Sequence, residues 1–223
     1  MASCGKTAIT KTKVSTPVDS LSYAVGVNLY YSLYHDSLDL NPAVLAKAMM
    51  DAKEGKAYLD EDGCREFIFN FMNKKELEKQ AKQVEMNKVT YKDNIAQGDS
   101  FLQKNKEVAG VVVTASGLQY KVIKLGNGPK PTETDVVKVH YTGTTIDGKK
   151  FDSSVDRGEP AQFTVNGVIK GWVEGLQLMP VGSKYMLYIP SELGYGATGA
   201  SDVIEPYSTL IFEVELLEIV KQK

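Results

Sequence analysis

Apolar residues at helical spacing mark the beginning of the chain. Between about residues 21 and 34 they recur every fourth position, and this period predicts an amphipathic helix. Asn41 and Pro42 predict the start of a second helix, because Asn is a favoured cap and Pro is tolerated at the first helical position. Gly55 predicts its end. The apolar positions of the two helices are Val25, Leu29, Leu33, Val44, Leu45, Ala48 and Met49.

A third segment, residues 62–106, starts apolar and then becomes polar. After Lys74 apolar residues are sparse and charges of both signs alternate, which favours a helix that crosses solvent between two folded bodies. If helical throughout, the segment would span about 65 Å at ~1.5 Å per residue. Gly98 costs about 1 kcal/mol in a helix interior and is the candidate position for a bend.

The first two helices and the start of the third form a small unit with many apolar side chains. A unit of about 70 residues buries a modest share of its surface, so it gains little stability alone. We therefore predict that residues 19–72 form a homodimerisation module, with a monomeric three-helix bundle as the alternative. The residues to be buried are Leu29, Leu33, Met49, Met50, Phe67, Phe69 and Phe71.

The pattern changes to the strand period at Val111. In DVVKVHYTG and again near the end of the chain, apolar and polar residues alternate, which predicts antiparallel strands with one wet face. The stretch GWVEGLQLM is the helical candidate that can cover the dry face. The sequence thus predicts an α+β protein: an all-α dimerisation domain, a long connecting helix, and an antiparallel β half-barrel wrapped around one short helix.

Composition narrows the functional classes. The chain has 223 residues, 43% hydrophobic and 24% charged, which is ordinary for a folded domain. A net charge of -2 argues against nucleic-acid binding. No apolar run approaches the roughly 18–20 residues that span a bilayer.

The two cysteines, Cys4 and Cys64, suggest a location. A Cys after small residues, followed by Gly, Lys and a Ser/Thr-rich tether, resembles the mature start of a bacterial lipoprotein. A lipid on Cys4 would anchor the chain to a membrane without spanning it. The alternatives are a disordered tail with an incidental Cys, or a Cys4–Cys64 disulfide. Cys64 is otherwise expected to be a small buried apolar residue.

Between residues 139 and 212, aromatic and aliphatic residues surround one carboxylate, without an evident nucleophile. No CxxC or paired His is present, so neither a metal nor a cofactor is predicted. The set favours a pocket that binds an uncharged ligand and changes its conformation without breaking a bond. Taken singly, Tyr141 would be a core residue and Asp152 a turn cap; their joint occurrence favours the pocket. Its residues are Tyr141, Phe151, Asp152, Val168, Ile169, Trp172, Tyr195 and Phe212.

The motifs VHYTG, FDSS, VIKGW and LGYGATG, in this order, resemble an FKBP-type peptidyl-prolyl isomerase domain over residues 112–221. Across nearly the whole chain, SYAVGVNL, LNPAVLAKAMMDA and LQLMPVGSK are similar to the macrophage infectivity potentiator subfamily of bacterial proteins. The resemblance implies a V-shaped homodimer. We expect a disordered tether over 1–18, the helical domain over 19–72, the connecting helix over 73–110 and the isomerase domain over 111–223.

The resemblance also implies roles for individual residues. Trp172 would form the pocket floor, and Tyr195 would donate a hydrogen bond to a bound carbonyl. Asp152 would be a buried carboxylate that orients polar groups near the reacting amide, and Arg157 would keep it ionised. The backbone N–H of Ile169 would bind a second carbonyl. The pocket walls would be Tyr141, Phe151, Phe163, Val168, Ile169 and Phe212.

Two departures from the family pattern concern the edge of the pocket. Ala161 stands where a further pocket aromatic occurs in the human-type domain, and residues 200–209 (ASDVIEPYST) lack the usual His-Pro-Gly run. We expect a more open pocket with altered substrate preference and macrolide affinity. His35 and His140 are expected at the surface.

The resemblance implies an enzyme that isomerises Xaa-Pro bonds of protein substrates and helps exported proteins to fold. Its partners would be proline-containing chains, a second copy of itself and macrolides of the tacrolimus or rapamycin type. A bacterial periplasmic or cell-envelope location follows, including an outer-membrane-anchored lipoprotein. The alternative is a holding chaperone or binding module with incidental isomerase activity.

Overall fold

A computed structural model describes residues 12–35 and 38–220. The chain divides into two compact units, one ending at Lys74 and the other beginning at Lys75. No helix in the described ranges is both long and apolar enough to cross a membrane. Cys4 and most of the predicted 1–18 tether lie outside the described residues.

The first unit is helical. Helix α1 is Pro17–His35, α2 is Pro42–Lys53, and α3, Glu61–Thr90, begins in this unit. The predicted cap of α2 is present, because the side-chain oxygen of Asn41 accepts a hydrogen bond from the Ala43 N–H at 3.0 Å. A small apolar cavity of about 200 Å³, lined by Leu29, Leu45 and other residues, lies between α1 and α2.

In a single chain the helices of the first unit leave their apolar side chains exposed. Neither α2 nor α3 contains a buried residue. Phe67 is 64% exposed and Met49 60%. Cys64 is also exposed, so the expectation of a small buried apolar residue is wrong for the single chain. Phe67, Ile68 and Phe69, which follow Cys64 on α3, are all more than 60% exposed.

The polar segment is two helices instead of one. Helix α3 ends at Thr90 and α4 is Lys92–Asn105, with Tyr91 between them at φ −104° and ψ 27°. The break therefore lies at Tyr91 and not at Gly98, the candidate position for a bend, which is buried inside α4. Its role is a close approach: a Cβ there would lie 2.5 Å from the Oγ1 of Thr209.

The expected solvent exposure of the polar segment is correct for residues 75–86 of α3 and wrong for α4. Side chains 75–86 are exposed, whereas a stripe of buried or half-buried residues starts at Asn87. The stripe continues to Asn105, whose amide donates to the Gln119 side chain at 2.8 Å. Both the stripe and the residues that it packs against belong to the second unit. The stripe members are Asn87, Tyr91, Asn94, Ile95, Gly98, Phe101, Leu102 and Asn105.

The second unit contains one antiparallel sheet, as predicted. Its strands are β1 Val111–Val113, β2 Gln119–Lys124, β3 Val136–Thr145, β4 Lys150–Ser153, β5 Ala161–Thr164, β6 Lys184–Ile189 and β7 Leu210–Val220. They run in the order β1-β2-β6-β7-β3-β4, and β5 pairs with β3. Strands β3 and β7 alternate buried and half-exposed residues, which is the period of a sheet with one dry face.

Helix α5, Lys170–Leu178, covers the dry face. Leu176 and Trp172 point into the core, where they are 0% and 4% exposed. Gly171 permits the approach to β6, because a Cβ at this position would lie 2.6 Å from a methyl group of Ile189. Burial of the sheet face against one short helix therefore forms the core of this unit, and it brings Trp172 beneath the open end of the half-barrel.

Candidate active site

A cavity of about 430 Å³ opens at the end of the half-barrel. Strands β3, β4, β5 and β7 contribute one side chain each, α5 contributes its first turn, and Tyr195 lies in the loop after β6. The lining is mainly aromatic and aliphatic, with one carboxylate. Its residues are Tyr141, Asp152, Phe163, Gly167, Val168, Ile169, Trp172, Tyr195 and Phe212.

Trp172 is the centre of an aromatic cluster at the base of this cavity. Its ring lies edge-on to the rings of Tyr141 and Phe212, each at a centroid distance of 5.2 Å, and to Phe163 at 5.7 Å. Such edge-to-face pairs hold aromatic rings in fixed orientations. The indole Nε1 is buried and has no hydrogen-bond partner in the described chain. The floor is therefore rigid and apolar, with one unused donor.

Tyr141, Asp152 and Arg157 form a hydrogen-bonded network at the cavity edge. The Tyr141 hydroxyl and the Arg157 guanidinium both donate to the Asp152 carboxylate, one to each oxygen. Arg157 also donates to the Tyr141 oxygen at 3.0 Å, and its Cζ lies 5.7 Å from the centre of the Tyr141 ring. Three polar groups are thus fixed relative to each other beside an apolar floor.

The network sets the ionisation state of its members. Desolvation opposes ionisation of Asp152, but the hydrogen bonds from Tyr141 and Arg157 outweigh it, so the pKa of Asp152 lies below its ordinary value. Desolvation and the hydrogen bond to Asp152 raise the pKa of Tyr141. The site therefore presents a carboxylate and a neutral phenol at neutral pH. The expected pairing of Arg157 with Asp152 is present in the structure.

The Asp152 carboxylate is less buried than the family resemblance implied. Its side chain is 41% exposed and that of Arg157 is 46% exposed, so the ion pair lies at the rim of the cavity. Strand β4 ends one residue later, at Ser153. The description of Asp152 as buried is therefore wrong, although Asp152 does line the cavity.

Tyr195 and Ile169, the two residues expected to hydrogen-bond a ligand, both line the cavity. Tyr195 is 39% exposed and lines the cavity. Ile169 is the N-cap of α5 in an extended conformation, φ −60° and ψ 150°. Backbone N–H groups at the start of a helix have no acceptor within the helix, so they remain available to a ligand. Val168 and Ile169 also supply part of the apolar wall.

Other residues named from the sequence support the cavity or lie apart from it. Phe151 does not line it but contacts Phe212 edge-on at 5.4 Å. Ala161, in β5, packs against the core and adds no aromatic wall. His140 lies on the face of β3 opposite Tyr141, but it is half-buried, with Nδ1 3.1 Å from the hydroxyl of Ser154, and so is less exposed than expected. The side chain of His35 lies outside the described residues.

Gly167 is a lining residue that sequence reasoning missed. It ends the 3-10 turn Val165–Gly167, directly before Val168. Because glycine has no side chain, it adds nothing to a pattern of apolar and polar positions. Its position directly before VIKGW was the feature of the sequence that could have identified it. Within the described ranges, no group of three His, Cys, Asp or Glu side chains could hold a metal ion. The arrangement can bind an apolar ring over the indole and hydrogen-bond the amides beside it.

Two family models match the chain. One, described as FKBP-type peptidyl-prolyl cis-trans isomerase, matches residues 128–217. The other, described as the domain amino terminal to FKBP-type peptidyl-prolyl isomerase, matches residues 18–122. The two matches together cover both units of the chain.

Curated relatives and a solved structure agree with these matches. "Outer membrane protein MIP" of Legionella longbeachae is 42% identical over 211 residues, 94% of this chain and 89% of the relative. An "FKBP-type 22 kDa peptidyl-prolyl cis-trans isomerase" of Escherichia coli is 46% identical over 200 residues, 89% of this chain and 93% of the relative. The crystal structure of FkpA from Escherichia coli matches with a TM-score of 0.58 and 34% identity, over 93% of this chain and 98% of that one. These matches confirm the resemblance and the fold class: the chain belongs to the FKBP-type peptidyl-prolyl cis-trans isomerase family.

Proposed function

We propose that this chain catalyses cis-trans isomerisation of Xaa-Pro bonds in protein substrates, with the cavity above Trp172 as the site. The observation that carries the proposal is the combination of a rigid apolar floor with a fixed Tyr141–Asp152–Arg157 network. A cavity of about 430 Å³ accommodates a proline ring and its flanking amides.

The chemistry needs no covalent intermediate. Rotation about an Xaa-Pro bond crosses a barrier of about 18–20 kcal/mol that arises from amide resonance. The twisted amide has less charge separation than the planar one, so a dry apolar surround favours it relative to the ground state. Trp172 would contact the proline ring, while the Tyr195 hydroxyl and the Ile169 N–H would bind the flanking carbonyls. Catalysis would consist of positioning and solvent exclusion.

The direct test is cis-to-trans conversion of a short Xaa-Pro peptide by the full chain. We expect turnover that falls in Tyr195→Phe and Asp152→Ala and that a tacrolimus-type macrolide inhibits. Gln80→Ala, on the exposed part of α3, is the control and should match the wild type. Absence of turnover, or turnover equal in all four proteins, would contradict the proposal.

We further propose that the first unit is a homodimerisation module. The exposed apolar side chains of α1, α2 and α3 support this, since a soluble chain rarely leaves so many of them uncovered. Sedimentation of the full chain should give twice the chain mass. A single-chain mass at micromolar concentration would contradict the dimer and favour the three-helix bundle.

We also propose a role in folding exported proteins in the cell envelope. Support comes from the lipoprotein-like start at Cys4 and from a relative named as an outer membrane protein. Metabolic labelling with a fatty acid in a bacterial host, using a chain preceded by a lipoprotein signal segment, tests the lipid. Labelling lost in Cys4→Ser would support the anchor, and an unlabelled wild type would contradict it.

The holding-chaperone alternative is separable by a second assay. Suppression of the aggregation of a proline-poor client requires that this protein bind the client, but it requires no isomerisation. Tyr195→Phe should therefore suppress aggregation as well as the wild type does. If that variant loses both activities together, holding also uses the cavity. If only peptide turnover falls, the cavity serves catalysis and other surfaces serve binding.

A further inference from the structure

The loop that carries Tyr195 is held in place by polar members of the stripe on α3 and α4. We call residues 195–209 the rim loop. It leaves β6 after the 3-10 turn Ser191–Leu193 and returns at the start of β7. Tyr195 lines the cavity at the beginning of this loop. Ile204 and Thr209 are buried, but the other loop residues are half-buried or exposed, so the position of the loop also depends on its outer contacts.

Two asparagine side chains of the helices donate hydrogen bonds to the rim loop. Asn87 Nδ2 donates to the Ala197 carbonyl at 2.8 Å. Asn94 Nδ2 donates to the Glu205 carboxylate at 3.0 Å and to the Pro206 carbonyl at 3.1 Å. Asn87 lies near the end of α3 and Asn94 near the start of α4, on either side of Tyr91, and both amides face the rim loop. The Asn87 amide therefore holds the first limb of the loop, which leaves β6, and the Asn94 amide holds the second limb, which returns to β7.

The two limbs are also tied to each other beside Tyr195. The Tyr207 N–H donates to the Gly196 carbonyl at 2.8 Å, so the segment that Asn94 holds is bonded to the residue after Tyr195. The Ala200 and Ile204 backbones pair across the tip. A displacement of Pro206 is thus transmitted through Tyr207 and Gly196 to the backbone that carries the Tyr195 side chain.

The loop conformation requires such support. Ser201 and Tyr207 have φ of 59° and 62°, a region that residues with side chains rarely adopt. A strained backbone persists where its surroundings hold it. Tyr207 is held on both sides, because its hydroxyl donates to the Val84 carbonyl of α3 at 3.3 Å and Asn94 bonds the residue before it.

The orientation of the two amides is set by their surroundings. Gln83 Nε2 donates to the Asn87 Oδ1 at 2.8 Å, which leaves the Asn87 amino group facing Ala197. Both acceptors of Asn94 are oxygens, so its amino group must face them. Gly98, one turn further along, allows α4 to approach Thr209 at the end of the loop.

We propose that Asn87 and Asn94 are positioning residues for the isomerase reaction: they act through the rim loop to hold the Tyr195 hydroxyl over the cavity. The segment that connects the two units along the chain would then set the geometry of the active site as well. This inference rests on the proposed catalysis and deepens it, since it assigns a role to residues that touch no substrate.

The test compares peptide isomerisation by the full chain and by Asn87→Ala and Asn94→Ala. Each lost bond to the loop should reduce kcat/KM about three- to tenfold. The matched control is Gln80→Ala, which removes an exposed amide of the same helix whose bond, 3.0 Å long, goes to Glu76. It should leave kcat/KM unchanged. Wild-type rates in both Asn variants would overturn the positioning role but leave the proposed catalysis standing. An inactive wild type would overturn the proposed catalysis as well.

A double-mutant cycle separates positioning from general support. When Tyr195 is replaced by Phe, no hydroxyl remains to be positioned, so adding Asn94→Ala should then cost less than about twofold. An equally large loss in both backgrounds would show that Asn94 acts only on stability and would overturn the role.

Tyr207→Phe gives a second, milder variant in case Asn94→Ala folds poorly. It removes the hydrogen bond from the hydroxyl to the Val84 carbonyl and keeps the ring. Its kcat/KM should fall less than that of Asn94→Ala, and the decrease should again depend on the presence of the Tyr195 hydroxyl. The single tryptophan of the chain, Trp172, lies in the cavity floor, so its emission reports on the floor. We expect unchanged emission in every variant; a red shift in the Asn variants would mean that the cavity itself opens and would overturn an action through the loop.

Discussion

The two units of this chain use similar side chains in opposite ways. In the second unit, Leu187, Leu210 and Leu216 are fully buried, and a contiguous core forms around Trp172. In the first unit, Leu21 is 65% exposed and Phe69 63% exposed, although both lie on well-formed helices. Helical periodicity alone therefore does not say where an apolar face is buried. The second unit completes its core within one chain, whereas the apolar surface of the first unit is available to a second copy of the chain, as proposed above.

The helical segment that precedes the sheet, which belongs to the second unit, packs in a third way. From Asn87 to Asn105 it is buried or half-buried at every third or fourth residue, and half of these positions are Asn or Gly. It packs through side-chain amides and a close glycine contact as well as through apolar residues such as Phe101, whose ring lies 6.0 Å from that of Tyr188. A helix can thus be attached to a domain by a stripe that mixes hydrogen bonds with apolar contacts.

The largest expected effect comes from placing a charge on the exposed apolar face of the first unit. Leu29→Asp should abolish the proposed dimer, because a buried unpaired carboxylate is strongly unfavourable. Peptide isomerisation should persist, since the cavity lies in the second unit. Leu77→Asp, the same change on the exposed polar part of α3, is the control and should remain dimeric in sedimentation equilibrium. A dimeric Leu29→Asp protein would contradict burial of this face.

A matched pair of Leu→Ala variants compares the two units by stability. Leu187→Ala should lower the free energy of unfolding of the second unit by about 2–5 kcal/mol, because it opens a cavity in a complete core. Leu21→Ala should cost less than about 0.5 kcal/mol if its side chain stays in solvent. Denaturant titration at two protein concentrations measures both. A Leu21→Ala effect that grows on dilution would place that side chain in the dimer interface.

The Asp152 network predicts a pH dependence of the second unit. The pKa of Asp152 is lowered in the folded state, so its ion pair stabilises the fold above the unfolded pKa of about 3.9 and loses this contribution as the pH falls through the folded pKa. The Tm difference between wild type and Asp152→Asn should therefore be largest near pH 6 and shrink below about pH 4. A difference that stays constant across this whole acid range would contradict the assignment.

The smallest expected effect separates two helix glycines. Replacing Gly by Ala in a helix favours folding by up to about 1 kcal/mol. Within one chain, a Cβ at Gly26 would meet no atom within 4 Å, so Gly26→Ala should show this gain unless a second copy lies there. Gly98→Ala must displace the buried Thr209 and should be less stable than Gly26→Ala by thermal melting. Equal effects would contradict the tight packing of α4.

The elements with strong periodicity were predictable. The alternation in β3 and β7 defined a one-sided sheet, and Asn41-Pro42 defined the start of α2; both agree with the structure. The aromatic members of the cavity were also identified from motif order, and the structure brings Tyr141, Phe163, Trp172 and Phe212 together.

Other features had no local signal. The 41% exposure of the Asp152 side chain and the contact between His140 Nδ1 and the Ser154 hydroxyl have no counterpart in the hydrophobic pattern. The break at Tyr91 lies in a stretch without Gly or Pro, while Gly98, the candidate position for a bend, lies inside α4.

By itself the sequence determined the helical and strand periods, the family and the aromatic lining, because these follow from local spacing and motif order. The tertiary structure alone decided which polar residues became buried and which apolar residues stayed exposed. Asn87 and Asn94 read as solvated helix residues until the rim loop, far along the chain, meets them. Hydrogen bonds between distant segments depend on geometry, and a one-dimensional pattern of hydrophobicity does not contain it.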